Sequence, residues 1–163
     1  MRLERLLCAI VMTLWSAGVN GSQAELPAAL PERLRAHVKN EQLQVVTSLR
    51  GLPLGVRAAL GKLFGSYALD IAEPGEEFQV TGVAGSSTLP IRRLVAAGCS
   101  MDHCLVYYER GGRSLTWKVA LFQWTPEATR FESGGTAPGG LKTVEAVRNA
   151  VLSGAIKNSN GVW

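Results

Sequence analysis

The chain changes its hydrophobic period part-way along. After Pro31, which suits the first turn of a helix, Leu34, Val38, Val45 and Leu49 recur at spacings compatible with one helical face. They predict a helix, or a broken pair of helices, over 31–49. Gly51-Leu52-Pro53 interrupts the pattern, and Val56, Ala59, Leu60 and Leu63 form a second short amphipathic stretch that stops at Gly65. From Tyr67 the period shortens: 67–71 and 78–83 read as strands joined through the turn signal Glu73-Pro74-Gly75-Glu76. Further strands are predicted at 90–98, 105–109, 114–124 and 129–132, with Gly111-Gly112 suited to a tight hairpin. Thr143 then caps a helix whose Val144, Val147, Val151 and Leu152 line one face, and Gly154 stops it. Helices, a run of antiparallel strands and a closing helix give an α+β fold, with about five strands packed against helices from the N-terminal third and a C-terminal helix.

The first 24 residues fall outside this pattern. Arg2 and Arg5, an apolar run over 6–19, and Ser22-Gln23-Ala24 as a small-x-small site read as an export signal. The apolar run is short of the roughly 20 residues a membrane span needs. The expectation is a signal peptide at 1–24 and a single α+β domain at 25–163, periplasmic or secreted, with no membrane association after processing. Removing Arg2, Glu4 and Arg5 lowers the net charge from +4 to about +3, too mild and too scattered to argue for nucleic acid.

Cysteine use sharpens the picture. Cys8 leaves with the signal, and Cys99 and Cys104 remain in a compartment that oxidises thiols, so they most simply pair with each other. The unit Cys99-Ser100-Met101-Asp102-His103-Cys104 joins two predicted strands and carries Asp and His at its tip. It is either a staple between strands or a rigid finger that enters another protein's cleft.

Other chemistry is sparse. Gly134 to Thr143 imitates a phosphate-binding loop, but Leu141 separates the last glycine from Lys142 and Pro138 removes a backbone donor, so a flexible Gly-rich connection is the better reading. A metal site needs three or four convergent ligands; only His37 and His103 are present, and the cysteines are committed, so no metal or cofactor is expected. His37, among Arg33, Arg35 and Lys39, reads as part of a solvated helix face without a role. No nucleophile elbow and no free thiol support catalysis, and Glu109 and Glu132 read as solvated strand-end charges, so an enzyme is not expected. Trp117 and Trp124 read as sheet packing. Trp163 follows the polar stretch 157–161 and either docks back or offers an aromatic anchor to a partner.

The order of features over 90–157 resembles the periplasmic inhibitors of vertebrate lysozyme. The resemblance rests on the apolar strand Arg93-Leu94-Val95-Ala96-Ala97-Gly98, the closed cysteine loop and Leu105-Val106-Tyr107-Tyr108. A strand through Val119-Ala120-Leu121-Phe122 and the helix after Thr143 complete it. In that family the loop is typically C-K-P-H-D-C and its histidine enters the lysozyme cleft. Here Asp102 stands at the family's histidine position and His103 at its aspartate position, with Ser100 and Met101 before them. The resemblance implies an exported inhibitor that binds a lysozyme or lytic cell-wall enzyme through Ser100, Met101, Asp102 and His103. The alternative is a non-inhibitory periplasmic interaction or envelope-stress module that uses the sheet face or the Trp163 tail. A homodimer is left open.

Overall fold

The computed structural model describes residues 30–66, 68–81 and 88–163. The expected signal at 1–24 lies outside them, as do Tyr67 and 82–87. No helix among the described residues is long and apolar enough to cross a membrane.

A five-stranded antiparallel meander organises the molecule, its strands in the spatial order β1-β2-β3-β4-β5. These are β1 (Gln44–Val46), β2 (Arg92–Cys99), β3 (His103–Arg110), β4 (Thr116–Trp124) and β5 (Thr129–Ala137). Among the described residues three α-helices accompany them: α1 (Glu32–Asn40), α2 (Leu54–Phe64) and α3 (Val144–Leu152). The fold is therefore α+β, as the periodicity indicates.

Both faces of the sheet are covered. Leu34 and Val38 of α1 join Val144, Val147 and Val151 of α3 over Leu105, Tyr107, Val119 and Leu121. On the other face Val56 and Leu60 of α2 pack on Leu94, Cys104, Val106, Tyr108, Ala120 and Phe122. Double coverage explains why 103–108 of β3 is buried throughout and not alternately. The pairing register of β2 with β3 shifts between Leu94 and Ala96. This bulge places Val95 and Ala96 together on the α1/α3 side while Leu94 and Ala97 face α2.

The helices obey local rules. Thr143 accepts from the Ala146 amide at 3.1 Å to start α3. Gly65, at φ +66°, ends α2 in the left-handed conformation that glycine adopts without strain.

Three expectations are corrected. The helix predicted to continue to 49 stops at Asn40, and 44–46 instead forms the edge strand β1, pairing Gln44, Val45 and Val46 with Cys99, Gly98 and Ala97. The β-branched run Val45-Val46-Thr47 fits a strand, and pairing there satisfies polar groups on the edge of β2. Val45 is consequently 69% exposed rather than on a buried helical face.

The described parts of 67–71 and 78–83 form no strands; Thr81 makes an isolated bridge to Gly112, and Ala72, just past the first segment, makes one to Arg93. Ala72 exchanges hydrogen bonds with Arg92 and Leu94 at 2.9 and 3.0 Å, on a strand whose neighbours are already β1 and β3. Side-chain anchors fix this segment instead: Asp70 accepts from Arg92 at 2.7 Å, and Phe78 lies beneath the Arg93 guanidinium at 4.5 Å.

The glycine-rich stretch is the third correction, since β5 runs through Gly134 and Gly135 to Ala137. A Cβ on Gly135 would stand 2.0 Å from the Lys157 carbonyl oxygen. Close backbone approach, not flexibility, is why glycine is there.

Candidate functional site

The β2–β3 hairpin ends in the loop singled out by the sequence. Cys99 and Cys104 face each other across the two strands and are joined by a disulfide. Inside the ring the Ser100 amide donates to the His103 carbonyl oxygen at 2.7 Å, and the His103 amide donates to Ser100 Oγ at 3.0 Å. The end of β4 ties the loop from outside: the Trp124 amide donates to the Asp102 carbonyl oxygen at 2.8 Å, and Trp124 Nε1 to the Ser100 carbonyl oxygen at 3.3 Å. Covalent closure and these bonds leave the loop little conformational entropy to lose on binding.

The four loop residues do not share one environment. Met101 is 92% exposed at the tip. Asp102 is half-exposed, while His103, the first residue of β3, is only 7% exposed and turned back towards α1. His103 Nδ1 lies 2.9 Å from Asp102 Oδ1, and its ring centroid is 3.9 Å from that of His37, tilted by 51°. His37 Nε2 is 3.3 Å from the same Asp102 oxygen and 3.4 Å from Glu41 Oε2. The hydrogen bond with His103 holds the Asp102 carboxyl below the usual carboxylate range, against the opposing effect of desolvation, and both histidines reinforce it.

His37 is therefore not the idle member of a solvated face. It and Glu41 stand four residues apart, on the same side of α1 and its C-terminal cap, where side chains at that spacing meet. Glu41 is held by α3, whose Arg148 donates to the Glu41 carbonyl oxygen at 2.5 Å. The i,i+4 pair is visible in the sequence. Its meeting with a loop more than sixty residues later is not.

The other candidates resolve separately. Trp163 docks back: its ring packs edge-on to Phe131 at 5.1 Å, and its backbone oxygen accepts from Arg92 at 2.6 Å and from Arg110 at 2.8 Å. Glu109 pairs with Arg93 at 2.6 Å and Glu132 with Arg130, so each carboxylate has its own guanidinium. Trp117 packs against the α1/α3 core and Trp124 against the α2 core.

Beside the loop runs an open groove of about 1260 Å³ whose walls include Val45, Pro53, Met101, Asp102, Trp124 and Pro126. It places exposed apolar side chains from β1, the loop and the β4–β5 turn next to one another. Comparison with family models, curated proteins and solved structures found no match to this chain.

Proposed function

We propose that this is an exported binding protein whose disulfide-closed loop docks on a glycan-cleaving enzyme of lysozyme or lytic type and obstructs its cleft. One observation carries the reading: Met101 stands 92% exposed at the tip of a loop braced by a disulfide and by Trp124. A rigid projecting apolar side chain is what a finger requires, since it desolvates on insertion without an ordering cost. Asp102 adds an acceptor at the rim for N–H donors that line a sugar-binding cleft. His103 and Ser100 act from within, fixing the carboxylate and the turn. The resemblance of this hairpin to lysozyme inhibitors supports the enzyme class, and the Cys99–Cys104 bridge supports an oxidising compartment.

The test is binding and muramidase assays of the oxidised protein against basic lysozymes and bacterial lytic enzymes. At least one should bind and lose activity, and Met101→Asp should weaken that complex about tenfold or more by placing a charge in the buried centre of the contact. If no enzyme binds to the folded, oxidised protein, the reading fails.

The alternative interaction module is favoured by a different observation. The outer edge of β1 lies at the end of the sheet beside exposed Val45, an arrangement open to strand addition. A partner lost on Val45→Pro and kept on Met101→Asp would select that module over the finger.

A further inference from the structure

The chain contains only two histidines, and the fold brings both into one cluster. A nitrogen of each imidazole and a carboxylate oxygen from each of Glu41 and Asp102 all lie within 4.8 Å of one another. We infer that His37, Glu41, Asp102 and His103 form a binding site for a divalent transition-metal ion of the zinc class, joining α1 to the disulfide loop.

Distances support the assignment. Tetrahedral zinc with bonds near 2.0–2.1 Å separates its ligand atoms by about 3.3 Å. His37 Nε2 stands 3.3 Å from Asp102 Oδ1 and 3.4 Å from Glu41 Oε2. The shortest separation, 2.9 Å between His103 Nδ1 and Asp102 Oδ1, is a hydrogen bond that a bound ion replaces. Two imidazoles with two carboxylates suit zinc, copper or nickel, whereas magnesium and calcium prefer all-oxygen sites.

Burial adds to the distances. His37 Nε2 and Glu41 Oε2 are buried atoms at ion-pair distance, 3.4 Å, yet among the described residues neither makes an aligned hydrogen bond. Buried polar atoms without aligned hydrogen bonds are costly, and a bound ion satisfies both. The ligands also come with support: Arg148 holds the Glu41 backbone, and Ser100 Oγ donates to Asp102 Oδ1 at 3.3 Å. Asp102 and Glu41 line the open groove beside the loop, which gives an ion its path of entry. With both loop cysteines in the disulfide, the sulfurs do not compete as ligands.

The experiment uses the oxidised protein stripped with a chelator and dialysed. Isothermal titration with Zn²⁺ should give one equivalent bound, and thermal unfolding followed by circular dichroism should shift upward with Zn²⁺ but not with Mg²⁺ or Ca²⁺. Co²⁺ should give the visible absorption of a four-coordinate nitrogen–oxygen site. His37→Ala and Glu41→Gln, which change partly exposed side chains and leave the sheet intact, should each weaken Zn²⁺ affinity about tenfold or more. Asp102→Asn should weaken it likewise. Absence of Zn²⁺ binding to the folded wild type overturns the site, and so does binding of one equivalent that His37→Ala and Glu41→Gln leave unchanged.

Discussion

Tyr107 and Tyr108 are neighbours on β3, both are fully buried, and removing the hydroxyl should move stability in opposite directions. Tyr107 points to the α1/α3 side, where its hydroxyl donates to the Pro138 carbonyl oxygen at 2.7 Å. Tyr108 points to the α2 side, with its ring edge-on to Phe64 at 5.3 Å, and its hydroxyl has no partner among the described residues. A net hydrogen bond is worth about 1 kcal/mol, while an unsatisfied buried polar group costs about 1–3 kcal/mol. Tyr107→Phe should therefore lose about 1 kcal/mol. Tyr108→Phe removes the desolvated hydroxyl and forfeits only the weak dispersion contacts of one oxygen atom, so it should gain about 1 kcal/mol. For a domain of this size 1 kcal/mol corresponds to about 3–5 °C in Tm. Urea and thermal unfolding of the two variants beside the wild type measure both shifts. Equal destabilisation by the two substitutions would refute the assignment of an unpaired hydroxyl at Tyr108.

Stability should also fall at alkaline pH. Burial pushes the Tyr107 phenol up to about 12 and raises that of Tyr108 as well, whereas an unfolded tyrosine ionises near 10. Below about pH 10 both states keep the proton and stability is flat; above it the unfolded chain ionises first, so stability declines as pH rises towards about 12. A urea midpoint that stays the same between about pH 9 and about pH 11 would contradict this. Gly135→Ala should cost about 3 kcal/mol because its Cβ would meet the Lys157 carbonyl oxygen at 2.0 Å. Gly61→Ala, inside α2 with its nearest neighbour at 3.4 Å, should instead gain about 0.5–1 kcal/mol by lowering unfolded-state entropy. Denaturant titration reads both, and a shared sign would undo the steric argument. Replacing Cys99 and Cys104 together with alanine opens a short ring, and the loss in urea unfolding should be about 2 kcal/mol with the far-ultraviolet spectrum retained. No loss would show that the hydrogen bonds alone hold the loop.

Local pattern located α2, α3 and the four long strands, because an amphipathic period and a cap or glycine stop are properties of a few adjacent residues. It misread 44–49, where the spacing of Val45 and Leu49 matches a helix by chance but the edge of β2 offers hydrogen bonds that a helix would leave unpaired. It also misread the segments around Asp70 and Phe78, whose place is fixed by Arg92 and Arg93 and not by their own alternation. For the glycine-rich stretch, composition suggested slack, and only the approach of Lys157 explains glycine at 135.

The site divides in the same way. Cys99 and Cys104 sit five residues apart, so the loop and its exposed Met101 are written in the chain itself. His37 and His103 are different: each alone reads as an isolated imidazole, and their 3.9 Å contact exists because α1 packs on the sheet beside the turn. The sequence by itself determined an α+β chain with a cysteine-closed hairpin tip. Tertiary structure decided that the tip's histidine turns inward to join His37, Glu41 and Asp102, since long-range proximity is set by helix–sheet packing and leaves no local periodicity to read.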